Sequence, residues 1–171
     1  MGQTFALPFK LKRSSDVFGM TSMTTTTETV HGLLRLEEDE VVIQWRLARK
    51  IDHLGGTEMR TDEEMESVVE VVVPLAAVAG SFVRRRRWWD FWRGPKIVIK
   101  GADLQAFDVV AGQGALKLKH PAELVLGLRG KDLLLGEEFS AELELAVAKL
   151  QLRRSEERRA LGSGGDSAGQ L

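Results

Sequence analysis

Apolar and polar residues alternate with a period of two over most of the middle of this chain. Across residues 41–49, Val41, Ile43, Trp45 and Leu47 share one face while Gln44 and Arg46 share the other, the pattern of a half-buried strand. The same reading predicts strands at 30–36, 41–49, 68–73, 80–86, 96–100 and 123–128, with a weaker piece at 116–118. Glu37, Glu38, Asp39 and Glu40 read as an acidic hairpin turn between the first two. Val69, Val71 and Val73 face inward, opposite Glu66 and Glu70, and Pro74 ends that run because it has no N–H to give to a ladder. Ile97 and Ile99 alternate with Lys96, Val98 and Lys100; Leu124, Leu126 and Leu128 alternate with Glu123, Val125 and Gly127.

The last element carries two periods at once. Ala141, Leu143, Leu145 and Val147 alternate with Glu142 and Glu144 as a strand would, yet Phe139, Leu143, Ala146 and Leu150 sit at helical spacing. The stretch is built of Ala, Leu, Glu, Lys and Gln, all good helix formers, so a helix over 138–154 is predicted, starting near Gly136 or Ser140. Short antiparallel strands with one wet face and a terminal helix give a mainly β fold. It is expected to be a small barrel or sandwich of about seven antiparallel strands, capped by the helix.

At 171 residues the chain is expected to form one domain, large enough for a core without disulfides or metal. Residues 29–154 carry the pattern. Residues 1–28, with the threonine run 24–27, read as a flexible arm. Residues 155–171, with almost nothing apolar, read as a frayed helix end and then a disordered tail. With no cysteine, thiolate nucleophiles, disulfides and sulfur-ligated metals are excluded. A net charge of −1 offers nucleic acid or anionic membrane no global attraction, so any such attraction must come from a local patch. No apolar run approaches the ~18 residues that span a bilayer, and the N-terminus has no apolar signal core. A cytoplasmic location is the expectation.

One string stands out: Arg84, Arg85, Arg86, Arg87, Trp88, Trp89, Asp90, Phe91, Trp92 and Arg93. From Arg84 to Lys100 there are seven basic residues and one acidic residue. The string suits first a plain hairpin whose indoles cover the barrel end and whose arginines discourage edge pairing, and after that a protein interface, a membrane headgroup region or single-stranded nucleic acid, in that order. Arg84, Arg85, Arg86, Arg87, Trp88, Trp89, Trp92 and Arg93 form the candidate contact patch. The three histidines, His31, His53 and His120, lie at no metal-ligand spacing. Asp62, Glu63, Glu64 and Glu66 read as a solvated acidic loop after a Gly55-Gly56 turn, with no partner base or nucleophile. Gly112-Gln113-Gly114 lacks the helix and lysine of a phosphate loop and reads as a turn. No catalytic constellation and no cofactor site is expected.

The succession Val73-Pro74-Leu75-Ala76-Ala77-Val78, Phe82, Trp88-Trp89, Lys96-Ile97-Val98-Ile99 and Ala102-Asp103-Leu104 resembles bacterial PH-like (pleckstrin-homology-like) domains. The resemblance spans about residues 30–154. It implies two nearly orthogonal antiparallel sheets closed at one end by a C-terminal helix, with 123–129 as last strand and 139–152 as capping helix. Phosphoinositide-binding members carry Lys and Arg in the first hairpin. Here that hairpin is Glu37-Glu38-Asp39-Glu40, which argues against inositol-phosphate binding there. The expected function is a non-enzymatic module binding a protein, a copy of itself included. The alternative is peripheral contact with anionic lipid through the Arg/Trp hairpin, and nucleic acid is disfavoured.

Overall fold

The computed structural model describes residues 5–55, 58–85, 94–116 and 118–162. In chain order these form β1 (Phe5–Phe18), β2 (Ser22–Leu36), β3 (Glu40–Gly55), β4 (Glu58–Met65), β5 (Val69–Pro74), β6 (Val78–Arg84), β7 (Lys96–Gly101), the short helix α1 (Asp108–Ala111), β8 (Glu123–Gly127) and the long helix α2 (Leu133–Gly162). The fold is mainly β, with eight antiparallel strands in two sheets and α2 packed on them. One sheet runs β1-β2-β3-β4, with β5 also on β3; the other runs β6-β7-β8.

The first half of β3 pairs with β5 and the second half with β4, so one long strand belongs to two environments. In the proximal half the alternation buries one face. Leu7, Phe9, Leu34, Ile43, Trp45 and Val71 meet Ile97, Ile99, Leu124 and Leu126 of the second sheet and Phe139, Leu143 and Val147 of α2 in a single core. Phe9, Gly32 and Trp45 are successive register partners. A Cβ on Gly32 would lie 2.0 Å from Phe9 Cζ, so the glycine leaves the ring a seat between strands. At the seam between sheets, a Cβ on Gly127 would lie 2.6 Å from the Lys10 carbonyl oxygen; a bare backbone lets β8 approach β1. The helix is tied to β6 by a buried hydroxyl pair, Ser81 Oγ and Ser140 Oγ at 2.9 Å.

The structure corrects several sequence expectations. The described part of the expected arm, 5–28, is strand apart from the turn at 19–21: β1 pairs with β2 residue by residue from Phe5↔Leu36 to Phe18↔Met23. Leu7, Phe9 and Leu11 anchor it in or against the core, and the threonines of β2 are β-branched residues that suit a pleated surface. Residues 58–65, read as part of an acidic loop, form β4 because the extended end of β3 offers a ladder. Of the weak piece at 116–118, Leu116 and Leu118 lie outside any strand and residue 117 lies outside the described residues; Leu116 is buried from a coil. Val98 is buried although it faces away from the core, flanked in register by Phe82 and Val125. Helix α2 spans Leu133–Gly162, not 138–154, so 155–162, expected as a frayed helix end, continues the helix. Arg, Glu and Ala carry the helix on beyond its last buried turn. Among the described residues no helix is long and apolar enough to cross a membrane.

Candidate interaction surface

Beyond the core, β1 to β4 continue together as a projecting blade. Its strands are residues 11–18, 22–28, 49–55 and 58–65, and none of these residues is buried. Both faces of the blade are therefore wet. Cross-strand register sorts the side chains into rows, because directly opposed residues point to the same face.

At the tip of one face, Phe18, Met23, Leu54 and Met59 are successive partners across all four strands. Phe18 is 74% exposed, Leu54 46% and Met59 65%, and Met20 in the adjoining turn is fully exposed. An apolar row at the end of a sheet, with none of the described residues packed over it, is the kind of surface that marks a contact site. Two residues nearer the core, Thr61 Oγ1 donates to Asp52 Oδ1 at 2.6 Å and Lys50 Nζ lies 3.2 Å from the same oxygen. The hydroxyl bond first, and then Lys50, hold the Asp52 carboxyl below its ordinary value.

On the opposite face the core ends at a row of alternating charge: Arg13, Glu28, Arg49 and Glu64. Arg49 sits between two carboxylates, 3.3 Å from Glu28 and 3.4 Å from Glu64. A cleft of about 270 Å³ opens below this row, between Arg13, Glu28, Arg49 and Glu66 on one side and residues 113–115 on the other. Further out, Thr24 Oγ1 and His53 Nδ1 are hydrogen-bonded at 3.2 Å.

The proximal part of the tip-bearing face is cationic. Lys10, His31 and Arg46 form one row, and a shallow groove of about 490 Å³ runs along Lys10, Lys12, Thr29, His31 and Lys50 to Glu63. Partial desolvation, then the charges of Lys10, Arg46 and Arg129, push the His31 imidazole below its ordinary value. Lysines and hydroxyls here offer an anion hydrogen bonds and charge, but no paired nucleophile and base. Among the described residues no group of three His, Asp or Glu side chains converges as a metal site would require.

Of the sequence-predicted patch, Arg84 and Arg85 are described. Arg84 lies over the Phe82 ring, 6.0 Å from its centroid, and 3.8 Å from Glu123. Lys100 approaches the same ring at 5.6 Å. Arg85 Nε donates to Glu137 Oε1 at 2.7 Å, joining the end of β6 to α2. Arg86, Arg87, Trp88, Trp89, Trp92 and Arg93 lie outside the described residues. Sequence reasoning placed its candidate patch in this hairpin and did not foresee that β1 to β4 extend as a blade. The available signal was the alternation of Leu7, Phe9 and Leu11, which makes β1 a strand and lengthens its neighbours. Comparison with known protein families, with characterised proteins and with solved structures finds no match to this chain.

Proposed function

We propose that this chain is a non-enzymatic, PH-like binding module whose contact surface for protein is the blade. The carrying observation is the apolar row Phe18, Met23, Leu54 and Met59, set across four strands with no core behind it. The PH-like part of the reading is supported by the order of elements: a meander of long strands, a three-stranded sheet, and a terminal helix packed on both.

Lipid contact is the second reading, favoured by the apolar tip on the same face as Lys10, Lys12, His31 and Arg46. Charge weighs against it. Over residues 12–28 and 49–66 there are eight acidic side chains and five basic ones, whereas an anionic leaflet gains ~1 kcal/mol from each added Lys or Arg near its surface.

The absence of cysteine makes the test direct. A benzophenone attached through Met59→Cys is compared with the same label at Leu134→Cys, an exposed site on α2. Protein adducts from position 59 and none from 134, with no co-sedimentation on anionic vesicles, are expected. Salt-sensitive vesicle binding and no protein adduct would transfer the blade to lipid.

A further inference from the structure

The two free edges of the blade are unlike, and they match. One is the outer half of β1, the other is β4; among the described residues each is hydrogen-bonded to a neighbouring strand on one side only. From Lys10 to Asp16 the β1 edge carries Lys10, Lys12 and Arg13 against Asp16. From Glu58 to Glu66 the β4 edge carries Glu58, Asp62, Glu63, Glu64 and Glu66 against Arg60. Among the described residues, Lys12 and Arg13 on one edge and Glu58 and Glu63 on the other make no ion pair. An edge of unpaired N–H and C=O groups is a template for another strand, and like charges placed directly opposite are destabilising. Two β4 edges would therefore repel, while β4 against β1 attracts.

We propose that the occupant of this surface is a second copy of the chain, which adds its β1 to β4 and continues the sheet. This rests on reading the blade as a protein-contact surface. Because β4 runs opposite to β1, a copy in the same orientation makes an antiparallel pair. If the rows continue straight across, Met59 meets Phe18 of the next copy and extends the apolar row. In the same register Glu64 meets the next Arg13, so the row Arg13, Glu28, Arg49, Glu64 keeps alternating in sign without interruption. Thr61 then faces Asp16, the same pairing of residue types as Thr61 with Asp52, while its one hydroxyl proton stays with Asp52. The contact joins different surfaces, so it is heterologous and leaves a free edge at each end, giving open chains of copies unless the rotation closes. Each copy adds four strands, about 19 Å of sheet, and the usual twist turns successive bodies by roughly 80–100°, which separates them around the blade axis.

Disulfide trapping tests the pairing and its register. Directly opposed Cβ atoms are about 4.5–5.5 Å apart, near the span a disulfide bridges. Phe18 and Met59 of one chain are three strand spacings apart, about 14 Å, and cannot join. Under mild oxidation the Phe18→Cys and Met59→Cys proteins should each stay uncrosslinked alone, form a crosslinked dimer when mixed, and form a ladder when both cysteines are in one chain. Sedimentation of the wild type should show mass growing above the 19.0 kDa chain with concentration and falling with salt. Lys12→Glu with Arg13→Glu should weaken association at least about tenfold, as should Glu63→Lys with Glu64→Lys, and mixing those two charge variants should restore it.

Self-crosslinking of the Phe18→Cys protein alone would instead make β1 against β1 the contact. A wild type that assembles without the mixed disulfide would overturn this edge pairing. A wild type that is monomeric throughout would overturn self-association altogether. In that last case a protein adduct from the position 59 label leaves the module reading standing, and no adduct ends both.

Discussion

The two halves of the β1–β4 sheet share the same strands, the same hydrogen-bond ladder and the same period of two, yet only one is held by a core. In the proximal half one face is Leu, Phe, Val, Ile and Trp, closed by the second sheet and α2. In the blade that face becomes Arg13, Glu28, Arg49 and Glu64, then Thr and His. Backbone pairing therefore does not require burial to continue; it requires a neighbour already in register. What burial adds is stability, about 25 cal/mol per Å² of apolar surface, whereas a cross-strand pair contributes about 0.2–1 kcal/mol.

The sharpest contrast comes from truncating one residue in each half of β3. Trp45 is 2% exposed, on the core face, and Trp45→Ala should cost about 3–5 kcal/mol in denaturant unfolding. Leu54→Ala, nine positions along the same strand, should change monomer stability by less than about 0.5 kcal/mol. Equal costs would mean that the blade has its own core and would break the comparison. Next in size is Gly32→Ala. Its methyl group would enter the Phe9 ring position, and overpacking of this kind costs about 1–3 kcal/mol. Adding Phe9→Leu should recover part of that loss, because the smaller side chain vacates the contact.

The same contrast explains what the sequence discloses. Val41, Ile43, Trp45 and Leu47 announce a strand because half of a short window is apolar in strict alternation. Past Arg49 the residues Lys50, Ile51, Asp52, His53 and Leu54 put apolar and polar groups on both faces, and the signal vanishes although the strand does not. Met59 to Met65 is worse: Asp62, Glu63 and Glu64 are depleted in strands, so β4 exists only because β3 extends alongside it, a non-local fact. The apolar row at the tip is invisible for the same reason, since Phe18, Met23, Leu54 and Met59 become neighbours only through register. The helix end is a milder case, because 151–161 is exposed all round and its composition alone sustains it.

A smaller effect separates the halves electrostatically. Arg49 bridges Glu28 and Glu64 at the border where the core stops. Each partly exposed pair contributes about 0.2–1 kcal/mol, so Arg49→Met should cost no more than a kcal/mol or two at low salt and nearly nothing at high salt. A salt-independent loss would instead mean that the aliphatic stem of Arg49 covers the core edge. Native-state hydrogen exchange adds the local view: amides of 24–28 should open below the global unfolding free energy, and those of 30–36 only with it.

The smallest effects are two titrations on one face, one in each half, with the same sign in different pH windows. Asp52 in the blade has its carboxyl held below the ordinary value of 3.8, by Thr61 first and Lys50 after it. The folded state therefore holds fewer protons than the unfolded one, and the contribution is present above 3.8 and lost as pH falls through the folded value. His31, in the proximal half, is pushed below 6.5 by desolvation and then by Lys10, Arg46 and Arg129. Here too the unfolded state binds the proton more readily, so stability rises with pH from the folded value up to 6.5, and protonation at lower pH works against the fold. Both are read from side-chain NMR titrations. Thr61→Val should move Asp52 up toward its ordinary value and leave His31 in place, while Lys10→Gln should move His31 up and leave Asp52 in place. A shift of Asp52 in the Lys10→Gln protein would show that charge on the proximal face reaches along the blade, and that the two halves are not electrostatically separate.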